Sequence, residues 1–169
     1  MRKPRFLQDD AWYHVTARAN RKECIFDKRD AKELIIYVIN SARRKYGFQL
    51  SNFCVMDNHI HLLIKPAPGV ALSEIMRWIL GVFASRFNRI FQLTGHVWGD
   101  RFFSRIIRSL SEYVRTFRYI DDNPSDAGMV TDRRDWLYGR FRRSITDHPD
   151  FCIQLPEWIA NGVPDNQPD

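Results

Sequence analysis

The 169-residue chain is long enough for one domain with a substantial core, and it carries a net charge of +6. No apolar run approaches the ~20 residues of a membrane helix, and the basic start Met1-Arg2-Lys3-Pro4-Arg5 leads into no apolar segment, so neither a membrane span nor a secretion signal is expected. Three scattered cysteines, Cys24, Cys54 and Cys152, argue against a disulfide framework or a cysteine-rich zinc site and fit reduced thiols in the cytoplasm.

In chain order, Ala11–Ala19 alternates Trp12, His14 and Thr16 against Tyr13, Val15 and Ala17, which predicts a first strand. After the polar connection Asn20–Asp27, Asp30-Ala31-Lys32-Glu33 has the form of a helix start with Asp30 as the N-cap. Leu34, Ile35, Val38, Ile39, Ala42 and Tyr46 continue at helical spacing until Gly47 closes the helix. Phe48–Met56 and His59–Lys65 predict a β-hairpin turned at Asp57-Asn58, two residues that tolerate left-handed backbone angles. Past the breaker Pro66-Ala67-Pro68-Gly69, a second helix runs from Ser73 to Leu93 on the stripe Ile75, Met76, Ile79, Val82, Phe83, Phe87, Ile90 and Phe91.

Gly95–Asp100 reads as a loop, with His96 a loop residue or phosphate contact, and Arg101–Arg108 as a fourth strand. Ser109-Leu110-Ser111-Glu112 has capping-box spacing and opens a third helix through Tyr113, Phe117 and Tyr119, with proline expected to stop it at Asn123-Pro124. A basic run, Arg140-Phe141-Arg142-Arg143, then leads into a tail broken by Pro156, Pro164 and Pro168, where Trp158 and Ile159 are candidates to pack back. The expected division is a domain over residues 1–150 and a C-terminal tail over 151–169.

Two features carry chemistry. In the strand His59-Ile60-His61-Leu62-Leu63-Ile64, alternation puts both histidines on one face and Ile60, Leu62 and Ile64 on the other. The apolar set can pin the strand to a core, leaving two adjacent imidazoles for a metal or, more plainly, for a solvated sheet face. The second feature is charge. From Arg77 to Arg118 there are eight arginines (Arg77, Arg86, Arg89, Arg101, Arg105, Arg108, Arg115 and Arg118), two acids, Asp100 and Glu112, and no lysine. That quarter of the chain matches the whole net charge. Arginine grips phosphate in fixed geometry, and the interleaved Trp78, Phe87, Trp98, Phe102, Phe103, Phe117 and Tyr119 offer stacking surfaces or core. A nucleic-acid partner is expected, with Trp98 among the DNA contacts.

The order β-α-β-β-α-β is that of a ferredoxin-like or RRM-like α+β sheet with helices on one face. Its first and third strands are central neighbours, so His59 and His61 fall mid-sheet with His14 one strand away. The helix from Ser109 is then the element able to cross the open face.

Four segments carry a resemblance over residues 11–130. They are Trp12-Tyr13-His14-Val15-Thr16-Ala17-Arg18, Val55-Met56-Asp57-Asn58-His59-Ile60-His61-Leu62-Leu63-Ile64, Val97-Trp98-Gly99-Asp100-Arg101-Phe102 and Arg118-Tyr119-Ile120-Asp121-Asp122-Asn123-Pro124. In order and spacing they resemble the REP-associated tyrosine transposases, within the HUH single-tyrosine class. The resemblance implies His59 and His61 as ligands of a divalent metal (Mg²⁺ or Mn²⁺), Asn123 as the third, and Tyr119 as the nucleophile on single-stranded DNA. It also implies a hairpin-forming target of the REP type. Spacing four puts Tyr119 and Asn123 on one helix face. Asp121-Asp122 departs from the family pattern, with no role in view other than assisting the metal. Asp57 reads as a turn residue, or else as a further metal or orienting group. A monomer and a homodimer are both compatible with the sequence. The competing reading is a non-catalytic RRM-like module that binds RNA or hairpin DNA.

Overall fold

The structure, a computed structural model, describes residues 10–141. Four strands are present: β1 (Trp12–Arg18), β2 (Gln49–Val55), β3 (His59–Lys65) and β4 (Phe103–Ile107). Three helices accompany them: α1 (Arg29–Tyr46), α2 (Leu72–Phe91) and α3 (Leu110–Asp126). The strands form one antiparallel sheet in the order β2-β3-β1-β4, so β1 and β3 are central, as the element order predicts. Each helical crossover skips one strand, which is how the last strand comes to lie on the edge. Among the described residues, no helix is long and apolar enough to cross a membrane.

Alternation sorts the two sheet faces. Tyr13, Val15 and Ala17 of β1 and Ile60, Leu62 and Ile64 of β3 are buried against Ile35, Ile39, Ile75, Ile79 and Phe83 of α1 and α2. Burying a side chain of this size is worth roughly 1.5–3 kcal/mol, so this face holds the fold together. The opposite face carries a smaller cluster, Cys54, Met56 and Leu63 against Tyr113, Phe117 and Ile120 of α3. The helix from Ser109 does cross the second face.

β2 contains a bulge. Leu50 pairs with Ile64 and Asn52 with Leu63, leaving Ser51 as the extra residue. Two successive polar side chains therefore turn toward α3. Ser51 Oγ hydrogen-bonds the Tyr113 hydroxyl, while Asn52 Nδ2 donates to the Phe117 carbonyl at 3.0 Å and to Asp121 Oδ1 at 2.8 Å.

The helix ends correct two expectations. Lys28, not Asp30, is the N-cap of α1, and Asp30 lies in the first turn, where its charge faces the positive end of the helix. Gly47 closes α1 in the left-handed conformation at φ 66°, with its N–H donating to the Arg43 carbonyl. Ser109 caps α3 as read, its Oγ accepting from Glu112 N–H, while the Glu112 carboxylate reaches back to Arg108 N–H, one residue before the cap. Pro124 does not stop α3, which continues to Asp126. Proline removes one N–H, and the final turn is closed by Ala127, Gly128 and Met129 donating to Asn123, Ser125 and Pro124.

The acidic pair also finds its account here. Buried Asp121 accepts two 3.0 Å bonds from Arg140 Nε, and Asp122 pairs with Arg133 at 2.8 Å. Both carboxylates hold the segment that follows α3, which also bridges the β2 edge at Cys54 and Gly139. Asp57 is likewise structural, since Lys32 Nζ binds its Oδ1 at 2.9 Å and also donates to the Phe26 carbonyl. Asp121→Ala would leave the Arg140 guanidinium and the Asn52 amide short of a partner. Because Arg140 is partly exposed, we expect a loss near the low end of about 3–5 kcal/mol, read from urea denaturation. An unchanged midpoint would refute the structural role. Residues 142–169, with Arg142, Arg143, Cys152, Trp158 and Ile159, lie outside the described residues.

Candidate active site

His61 lies in a row across the sheet, paired with Cys54 of β2 and Thr16 of β1, and Thr16 pairs in turn with Phe103 of β4. Paired residues share a face, so all four look toward the α3 side. His59, two positions earlier on β3, pairs with Arg18, and His14 of β1 pairs with Arg105 of β4. The three imidazoles cluster. His14 Nε2 is 2.9 Å from His61 Nδ1, Thr16 Oγ1 is 3.2 Å from the same nitrogen, and the His59 and His61 ring centres are 4.8 Å apart.

These contacts bear on the tautomers. His59 Nδ1 lies 2.6 Å from Asn58 Oδ1, an acceptor, so Nδ1 carries the proton and Nε2 the lone pair. With its proton on Nδ1, His61 can donate to His14 Nε2, and the lone pair is then on Nε2. That Nε2 is buried with no hydrogen-bond partner among the described residues. An unsatisfied buried acceptor costs about 1–3 kcal/mol, and a cation is one group that would relieve it.

Burial also keeps the rings neutral. It pushes His14 down to about 4, helped by Arg105, and His59 down to about 4, helped by Arg18. His61 falls to about 2 through burial, then the neighbouring His59, His14 and Arg18. Neutral imidazole is the form that binds metal. His14 is turned onto His61 Nδ1 and does not converge with the other two on one point. Among the described residues, no group of three or more His, Cys, Asp or Glu side chains could hold a metal ion. A site at His59 and His61 would therefore need a ligand of another type.

α3 supplies the rest. Its anchors at Ser51 and Asn52 hold Tyr113 and Phe117 against the sheet, and Tyr119 follows between Phe117 and Asp121. Tyr119 is 48% exposed, with its ring centre 5.5 Å from that of His61 and 5.8 Å from that of His14, edge-on to both. Asn123 lies one turn on and donates its Nδ2 to the Tyr119 carbonyl at 2.7 Å, so Oδ1 is the atom it could offer a metal. Tyr113 is buried on the Ser51 hydroxyl, and burial pushes its phenol up to about 12.

The predicted DNA contacts divide between the two sides of the sheet. Arg101, Arg105, Arg108, Arg115 and Arg118 are exposed on or beside β4 and α3, with Arg105 Nη2 also donating to Thr116 Oγ1 at 3.2 Å. Arg77 and Arg86 belong to α2 on the opposite face, and Arg86 lies 5.3 Å over the Tyr37 ring. Trp98 packs against Phe26 and Phe83, and its indole N–H donates to the Leu80 carbonyl. On the Tyr119 side, Arg18 was not among the sequence candidates and is visible only once β1 is registered against β3, while Phe103, one of several aromatics read as stacking surfaces or core, proves exposed.

Comparison with known proteins follows the same lines. Residues 8–123, more than half the chain, match the family described as Transposase IS200 like. A protein of Haemophilus influenzae described as a REP-associated tyrosine transposase is 26% identical over 110 residues, covering 59% of this chain and 62% of that protein. The chain thus spans less than two thirds of that relative's length. A REP-associated tyrosine transposase solved bound to a REP hairpin superposes with a TM-score of 0.71 at 22% identity, over 86% of this chain and 85% of its own. A protein of Deinococcus radiodurans described as a transposase gives a TM-score of 0.52 at 19% identity, over 72% of this chain and 97% of its own. At these identities the two structures establish the shared fold. With the family match, they close the assignment: the chain belongs to the IS200-like transposase family.

Proposed function

We propose that the chain binds DNA hairpins of the repetitive extragenic palindrome type and cuts and rejoins the adjoining single strand through a covalent bond to Tyr119. The observation that carries this reading is the placement of Tyr119, half exposed on a helix fixed to the sheet and edge-on to His61, whose buried Nε2 lacks a partner among the described residues. Membership in a transposase family supports the reaction, and the relative solved with a REP hairpin supports the substrate class.

The donor set fits a divalent metal. His59 and His61 each have Nδ1 tied to a neighbour and Nε2 bearing the lone pair, with Asn123 Oδ1 as the third candidate and solvent to complete the shell. Bound there, Mg²⁺ or Mn²⁺ would polarise the scissile phosphate, and imidazole favours manganese of the two. Tyr119 Oη forms a bond to phosphorus as the bond from phosphorus to the 3′ oxygen breaks. The phenolic proton passes to solvent and the 3′ oxygen takes one up, giving a 5′-phosphotyrosine and a free 3′ hydroxyl. Attack by a 3′ hydroxyl reverses the step without ATP, because the phosphotyrosine conserves the phosphodiester's energy. Arg101, Arg105, Arg108, Arg115 and Arg118 hold phosphates. The RRM-like alternative needs an open central-strand face, whereas α3 covers β2 and β3 and buries His61 and Leu63.

The test is strand cutting. A labelled DNA hairpin with a single-stranded flank is expected to be nicked when Mn²⁺ or Mg²⁺ is added, and a blunt duplex is not. No cleavage with either ion would sink the proposal. Binding has its own signature. Affinity for the flanked hairpin should fall with salt by roughly 0.7 decade per decade for each single-strand phosphate neutralised. Fluorescence anisotropy across a salt series reads that slope, and a flat response would remove the arginines from the interface.

A further inference from the structure

We infer that Phe103 is a stacking platform for an unpaired base close to the cut, a substrate-positioning role that rests on the cleavage reading above. Phe103 is 64% exposed, the most exposed large apolar side chain among the described residues. Its position on β4 pairs with Thr16, which pairs with His61, so it faces the same side as the histidines and Tyr119. Neighbouring strands are roughly 4.8 Å apart, which puts the Phe103 backbone about 10 Å from that of His61. A stacked strand rises ~3.4 Å per nucleotide, so no more than about three nucleotides separate such a base from the phosphate at Tyr119.

The surroundings select the occupant. Arg105 is exposed on the same face of β4 and Arg101 is exposed just before the strand, so an aromatic face lies between cations. That is the combination a single strand uses, base on ring and phosphate on guanidinium. α3 packs over β2 and β3 and leaves this end of the face uncovered. Phenylalanine has no polar atom to read a base edge, so the platform accepts any base and serves placement rather than sequence choice. An exposed ring also contributes little to the core, so its removal leaves folding intact.

The experiment is an abasic walk. Hairpins whose flank carries one tetrahydrofuran abasic site, at each of the three nucleotides nearest the cut, are bound by the full chain under chelator. For the unmodified protein one position should weaken binding by about 5- to 100-fold. Phe103→Ala should weaken binding to the intact strand by the same factor and add nothing at that abasic position, while Phe103→Trp restores it. If Phe103→Ala binds like the unmodified protein, or if its loss multiplies with the abasic loss at every position, the platform is overturned and the cleavage reading stands. An unmodified protein that binds no flanked hairpin overturns both. A change in sedimentation with unchanged DNA affinity would assign Phe103 to contact between copies, which also overturns the platform.

Discussion

Tyr119→Phe is expected to abolish both strand cutting and the covalent protein–DNA adduct while hairpin binding persists. The change removes one oxygen and almost no volume from a half-exposed ring, so stability should move by no more than ~0.5 kcal/mol. The phenyl ring that contacts His14 and His61 is kept in the substitution. What is lost is the only atom on that side chain able to bond to phosphorus, and cleavage should fall on the order of 10³-fold or more. Tyr113→Phe gives the control. Its hydroxyl is buried on Ser51, so the variant should lose stability and keep activity. A strand labelled on the 3′ side of the nick, run on a denaturing gel, migrates with the protein where the adduct forms. An adduct from the Tyr119→Phe protein would refute the assignment.

The second large effect is expected at the histidines. His59→Ala removes a half-buried ring and one lone pair, and should reduce metal-stimulated nicking about 100-fold or more while flanked hairpins still bind. His61→Ala should do the same at a greater cost in stability, because it opens a buried site and strips His14 of its partner. His14→Ala separates support from ligation. It removes the group 2.9 Å from His61 Nδ1, and metal affinity should drop 10- to 100-fold, the usual cost of losing an outer-shell partner. Manganese affinity, read calorimetrically without DNA, ranks the three variants independently of activity. Nicking by the unmodified protein that survives a chelator would eliminate the metal.

The parts of this molecule legible in sequence are those governed by periodicity and local chemistry. Alternation placed His59 and His61 on one face, the order of elements made β1 and β3 central, and Ser109 with Glu112 marked the start of α3. What was not legible depends on register or distant partners. Arg18 comes beside His59 only through antiparallel pairing, and Asp121 meets Arg140 from nineteen residues away. Pro124 misled because a missing N–H is tolerated where the following turn supplies other donors. That the Trp98 ring lies against Phe83 was not legible either, because composition cannot tell which rings pack on one another.

The bulge at Ser51 has a kinetic consequence. By turning two neighbouring side chains toward α3, it fixes the helix at Tyr113 and again at Phe117 and Asp121, on either side of Tyr119. The six residues from Tyr113 to Tyr119 span ~9 Å of helix axis, too short a rigid rod to swing. With Tyr119 as the proposed nucleophile, the orientational entropy of bringing a phenol to a phosphate would be lost during folding rather than at each turnover. A single-turnover time course should start without a lag, and deleting Ser51, which would leave Leu50 and Asn52 in regular pairing but remove the hydroxyl that holds Tyr113, should introduce one.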